Sequence, residues 1–291
     1  MSDSETVTEG PAYGGRSGVA VRDTAIVTGC SSGIGRATAR ALRDDGWRVY
    51  ATARDPADVA DLEGCETAAL DVTDFGQVED VVNRVVDETG QIDLLVNNAG
   101  FAQLGPIEDV PTARVLRQFD VNVFGPHRLL RAVLPTMREQ GEGRIVTVSS
   151  AAGLVSFPGG GVYSGAEHAK EAMTDALRAE VEDMGIDVVL VEPGPVQTDF
   201  ADRAERERRA LDRTEAYGDF YRFYDDTQTF GGVPLAVPPE EVAQAVLEAA
   251  TCADPPSRIP VGRLANFASL ARHLPARVRD AAFTLLRWLT S

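Results

Sequence analysis

Thr28-Gly29-Cys30-Ser31-Ser32-Gly33-Ile34-Gly35 joins a short apolar run to an amphipathic stretch that opens at Gly33. A strand that hands over to a helix through glycines presents free backbone N–H groups and the positive end of the helix dipole, which together attract an anion such as a diphosphate. The glycines allow the sharp turn and let a ligand approach the backbone. The spacing differs from G-x-G-x-x-G, and any tight strand-to-helix turn may use glycine. Further along, Tyr163 follows Ser150 by thirteen residues, and after it come Glu167 and the chain's one lysine, Lys170.

An alternating scaffold must position these residues. From Asp23 onward, short apolar runs alternate with amphipathic stretches of helical length, the pattern of βαβ units that build a parallel sheet. Strands are expected at Thr24–Thr28, Arg48–Ala53, Thr67–Leu70, Asp93–Val96, Arg144–Ser149, Asp187–Val191 and Arg258–Val261. Helices are expected at Gly33–Asp45, Phe75–Thr89, Thr112–Gln140 and Tyr163–Met184, with Gly46, Gly90 and Gly185 where three of them stop. This predicts one α/β domain over residues 23–291, a doubly wound parallel sheet of about seven strands with helices on both faces. Residues 1–22 are polar, acidic and Gly-rich without an apolar core segment, and are read as a disordered tail with no signal peptide. The segment 200–232 breaks the rhythm with a charged run followed by Tyr217, Phe220, Tyr221, Phe223, Tyr224 and Phe230. It reads as a small helical lid, whose rings either wall an apolar pocket or pack the lid onto its own domain.

The formal charge is -17, from 45 Asp plus Glu against 28 Lys plus Arg, and no basic cluster interrupts it, so a nucleic-acid partner is not expected. An acidic, lysine-poor composition suits a salt-rich cytoplasm, where screening shortens carboxylate repulsion. A GC-rich genome explains the lysine shortage alone. Cys30, Cys65 and Cys252 form no CxxC pair, which fits reduced thiols in a cytoplasmic protein with no metal site.

The glycine motif T-G-x-x-x-G-x-G resembles that of the classical short-chain dehydrogenase/reductase family, whose fold is a Rossmann-type sheet. Further matches follow in order: Asn97-Asn98-Ala99-Gly100 after the fourth strand, Asn122, Ser150, Tyr163, Pro193-Gly194 and Thr198. Thr28–Gly35 and Tyr50-Ala51-Thr52-Ala53-Arg54 resemble the 17β-hydroxysteroid-dehydrogenase-like group, and the composition adds a haloarchaeal character. The resemblance implies a dinucleotide held by Gly29, Ser31, Ser32, Gly33, Ile34, Gly35, Asp71, Val72, Asn98, Ala99, Gly100, Pro193, Gly194, Val196 and Thr198. After the second strand an acid would accept from a ribose 2′-OH and an arginine would pair with a 2′-phosphate. Here Arg54 follows Ala53, so NADP(H) is favoured, with NAD(H) possible; alternatively Arg54 is a surface cation near Asp55 and Asp58.

In the family the tyrosine is the proton donor, the serine orients the substrate oxygen, and the asparagine serves a water relay, roles that would fall to Tyr163, Ser150 and Asn122. A phenol titrates near ~10, so a nearby cation must stabilise its anion if it is to relay protons near neutrality. The family places a lysine four residues after the tyrosine; this chain has Glu167 there. Lys170 falls about 20° from Tyr163 around a helix, at ~100° per residue. It either substitutes for the family lysine, directly or through an i,i+3 pair with Glu167, or is a surface or interface residue of a slow or inactive protein. His168 is expected to line the helix surface.

Two functions stay open: an NADP(H)-dependent enzyme interconverting a carbonyl and a secondary alcohol on a lipophilic small molecule, or a catalytically weakened nucleotide-binding regulator or scaffold. Residues 276–289 form an amphipathic segment that packs on its own domain or a subunit, or touches a membrane peripherally. By resemblance the assembly is a homodimer or homotetramer.

Overall fold

Residues 23–227 and 235–281 are described by a computed structural model. Seven strands, β1 (Thr24–Val27), β2 (Arg48–Ala53), β3 (Glu66–Ala69), β4 (Leu94–Asn97), β5 (Gly143–Val148), β6 (Ile186–Pro193) and β7 (Arg258–Val261), pair in parallel. Their spatial order is β3-β2-β1-β4-β5-β6-β7. Alternate strand residues point to opposite faces, so each strand feeds two cores. Ala25, Val27, Leu94 and Val96 join one core and Ile26, Leu95 and Ile145 the other. This is a Rossmann-type α/β fold.

The helices cover both faces because their apolar residues recur at helical spacing. On the first face lie α1 (Gly33–Asp44) and the helix Pro239–Thr251; Ala39 and Leu42 meet Val242, Val246 and Ala249 there. On the second, α2 (Phe75–Thr89) buries Val78, Val81, Val82 and Val85. Asp74 starts α2 by accepting from the N–H groups of Gly76 and Gln77, and Gly90, at φ 74°, closes it in the left-handed conformation. The remaining helices are α3 (Thr112–Phe119), α4 (Gly125–Gln140), α5 (Gly161–Glu180), α6 (Phe200–Arg209), α7 (Gly218–Thr227), α8 (Pro239–Thr251) and α9 (Arg263–Ala271).

Two sequence expectations are corrected. The single helix Thr112–Gln140 is interrupted by a π-turn at Asp120–Phe124. Pro126 has no N–H to give to the Asn122 carbonyl four residues back, and Gly125 bonds instead to Asp120, five residues back. The Ala-rich stretch Pro239–Thr251, not anticipated, forms α8 against α1. The expected tail and Phe230 lie outside the described residues, as does the expected C-terminal amphipathic segment beyond 281; its described part, 276–281, is helical, with Val278 exposed.

Candidate active site

Strand order reverses between β1 and β4, and the crevice above their C-terminal ends is where such sheets bind ligands. A cavity of about 1270 Å³ opens there. Thr28 Oγ1 accepts from the N–H groups of Asn98 (2.9 Å) and Ala99 (3.0 Å), and Asn98 Nδ2 donates to the Thr28 carbonyl at 2.8 Å. Asn98 is thus a brace between the two strand ends. A Cβ at Gly29 would lie 2.9 Å from Ala99 Cα, and one at Gly35 2.4 Å from both Asn98 Nδ2 and the Gly29 carbonyl, so both must be glycine. Ser32 stands at the N-cap of α1 without bonding its first-turn amides, which leaves donors for an anion. A diphosphate fits this cradle.

The other sequence-predicted nucleotide residues are gathered on the same cavity. Ser31, Ser32, Gly33, Ile34, Arg54, Asp71, Val72, Gly100, Pro193, Gly194, Val196 and Thr198 line it. Arg54 forms no ion pair with Asp55 or Asp58. Asp55 is occupied in capping the turn at Ala57, and Arg54 instead acts on Asp71. Burial opposes ionisation of Asp71, but the N–H and hydroxyl of Thr73, with Arg54 and Arg128, hold its carboxyl below the usual range.

Tyr163, on the first turn of α5, shares the cavity wall with Ser150, which follows β5 and whose hydroxyl favours the phenolate. Ser150 Oγ accepts from Ala152 N–H at 3.1 Å, which fixes the hydroxyl while leaving its proton free. Phe200 of α6 covers the ring, with centroids 5.9 Å apart. Burial first, then the charge of Glu167, push the phenol well above its ordinary pKa, and the Ser150 hydroxyl only partly offsets them.

Glu167 and Lys170, one turn further on, are both buried, at 1% and 7% exposure, which corrects the surface alternative for Lys170. Their charges meet at 2.9 Å. Glu167 Oε1 accepts from Asn122 Nδ2 at 2.9 Å, and Oε2 from Ser149 Oγ at 3.4 Å; Lys170 Nζ donates to the Val148 carbonyl at 2.9 Å. Asn122 reaches Glu167 because the π-turn bends the chain here, and its amide also pairs with both backbone groups of Phe101. Next to the phenol there is consequently a neutral pair where a lone cation was sought. His168 is exposed, with Nδ1 against the Ser164 carbonyl.

The expected apolar wall is built from other rings. Tyr217, Tyr221 and Tyr224 bond Glu108, Asp109 and the Pro158 carbonyl, and Phe220 packs on Tyr224 with centroids 4.5 Å apart. They pin α7 to the body, away from the cavity. Phe101, Phe124, Phe157, Phe200 and Phe267 line the cavity instead. Sequence reasoning missed them, and missed Ser149 and Arg203; α6 brings in Phe200 and Arg203 and α9 brings in Phe267, while the rest come from the segments after β4 and β5 and from the π-turn.

The family model for short chain dehydrogenases matches residues 23–209. The chain belongs to the short-chain dehydrogenase/reductase family. Within it, the chain is 37% identical over 268 residues to the uncharacterized oxidoreductase YbbO of Escherichia coli, covering 90% of this chain and 94% of that one. It is 36% identical over 256 residues to human 17-beta-hydroxysteroid dehydrogenase type 1, covering 81% and 76%. A short-chain dehydrogenase from Streptomyces avermitilis superposes with a TM-score of 0.76 at 32% identity, covering 93% and 97%. A metagenomic family member solved with NADP gives 0.66 at 27%, covering 82% and 96%. As a member of this family, the protein is an oxidoreductase acting on CH–OH groups.

Proposed function

We propose that the chain is an NADP(H)-dependent enzyme that interconverts a lipophilic ketone and its secondary alcohol. The observation that carries this is the placing of Ser150 and Tyr163 together on the wall of the same cavity that the uncapped start of α1 borders. A bound nicotinamide supplies or accepts the hydride. Ser150 holds the substrate oxygen, and Tyr163 donates the proton that an alkoxide needs. Asn122 positions Glu167, and Lys170 neutralises it, so that Lys170 stands in for the family lysine through the pair. Arg54 meets the 2′-phosphate, in keeping with the NADP bound to the metagenomic relative.

The lipophilic class is supported by the aromatic lining, by a cavity with room for more than a dinucleotide, and by kinship to a hydroxysteroid dehydrogenase. The 17β-hydroxysteroid-dehydrogenase-like subgroup, a segment 200–232 that closes over substrate, a homo-oligomer, and a salt-rich cytoplasm of haloarchaeal type belong to the same proposal. Ionic pairing of Glu167 by Lys170 disfavours the regulator or scaffold reading. NADPH oxidation with a panel of ketones in molar KCl, beside a fluorescence titration of NADPH, tests the proposal: turnover is expected, and binding without turnover selects the regulator. Melting temperature should rise between dilute buffer and molar KCl, and an unchanged value removes the halophilic part.

A further inference from the structure

Helix α6 passes over the glycine loop. A Cβ at Gly33 would lie 3.0 Å from Thr198 Cγ2, two residues before that helix begins. From α6 itself, the Arg203 guanidinium donates to Ser32 Oγ at 3.0 Å. Serine at an N-cap ordinarily accepts from a first-turn amide. Ser32 makes no such bond, and its hydroxyl is turned to Arg203. The uncapped amides of α1 and the guanidinium therefore border one part of the cavity.

Charge marks the same place. In a chain with 45 acids against 28 bases, an arginine finds a carboxylate easily. On α6, Arg208 holds both Glu205 and Asp225, and Arg209 also holds Glu205. Arg203 and Arg206, which both line the cavity, make no ion pair among the described residues, and of the two it is Arg203 that bonds the glycine loop. Glu207, one turn further on, is taken by Arg114 and Arg117. An exposed guanidinium kept free of acids, beside open amides, is suited to a diphosphate bridge, which carries one charge on each phosphate and offers oxygens that a planar fork can bind through two parallel bonds.

We propose that Arg203 binds the diphosphate of the dinucleotide from the side opposite the glycine loop. This assignment depends on the nucleotide binding proposed above. It gives α6 two tasks, since the same helix lays Phe200 on Tyr163: the arginine that grips the diphosphate also settles the wall over the phenol.

Titrations of the full-length protein by fluorescence with NADPH and NADH, and by displacement with 2′-AMP, which has no diphosphate, separate the possibilities. Arg203→Met, in which methionine preserves helix propensity, should weaken NADPH and NADH by the same factor, about tenfold for loss of a charged hydrogen bond. Affinity for 2′-AMP should be unchanged. Arg203→Lys should recover part of the loss, and serves if the methionine variant melts early. Arg54→Ala should instead weaken NADPH and 2′-AMP while sparing NADH. Equal affinities of Arg203→Met and the native protein overturn the assignment, as does a loss confined to NADPH, which would put Arg203 on the 2′-phosphate. Should the native protein bind no pyridine nucleotide, the nucleotide reading itself falls.

Discussion

On its cavity side α5 pairs one acid with one base, Glu167 with Lys170; on its sheet side the same helix sends Glu171 and Asp175 to Arg258, which also holds Glu192 of β6. The first pair is buried, and in the second Glu171 and Glu192 are buried while Arg258 and Asp175 reach solvent; burial makes each enclosed ion expensive. The two clusters differ in balance. Asn122, Ser149 and the Val148 carbonyl complete the first, so both charges are satisfied. In the second, three carboxylates share one guanidinium, with Arg178 assisting only Asp175. Burial and the charge of Glu171 outweigh Arg258, and Glu192 is pushed up to about 7. The number of cations per buried acid decides whether that acid titrates near neutrality.

The largest effect should come from unbalancing the balanced site. Lys170→Met leaves Glu167 as an unpaired buried carboxylate, which costs about 3–5 kcal/mol. Melting temperature should fall by roughly 10 °C and turnover should be lost. Adding Glu167→Gln should restore most of the stability, because both charges are then gone. A single variant that melts with the native protein would show that the pair is not a stabilising unit.

The unbalanced site should respond in the opposite way, by gaining when a charge is removed. A carboxyl whose pKa is raised on folding binds its proton more tightly in the folded state. Its stabilising contribution is complete below about pH 4.5 and is lost as pH rises through about 7. Glu192→Gln should therefore melt higher than the native protein at pH 8, by about 2 kcal/mol of stability, and match it near pH 5. Parallel melting curves for the two proteins from pH 5 to 8 would mean that Glu192 does not titrate there.

Different parts of this contrast were legible from the amino acids. The seven strands were, because apolar runs of four to eight residues alternate with amphipathic helices. So was the approach of Lys170 to Glu167, since three residues on a helix bring side chains together. The Arg258 cluster was not, because it joins α5, β6 and β7, elements far apart in the chain. Nor was the π-turn that carries Asn122 to Glu167; Gly125-Pro126 hints at a break, but its form depends on where Phe101 offers partners. The cavity's rings were misplaced for a similar reason: Tyr221 and Tyr224 carry aromatic rings as Phe200 and Phe267 do, but their hydroxyls find Asp109 and the Pro158 carbonyl away from the cavity.

The smallest effect tests whether neutrality at Glu167 matters to the proton donor. With its pKa held above the ordinary value by burial and by Glu167, Tyr163 stays in the acid form that carbonyl reduction requires. The acid form is present below the folded pKa, so the reductive rate should stay level from pH 6 to 9. Glu167→Gln removes the negative neighbour, which lowers that pKa. The alkaline fall of the reductive profile should then move to lower pH, with NADPH affinity unchanged. Should the two profiles coincide, Glu167 sets the position of Asn122 without tuning Tyr163, and the pair on the cavity side would be as purely structural as the buried strand ends it touches.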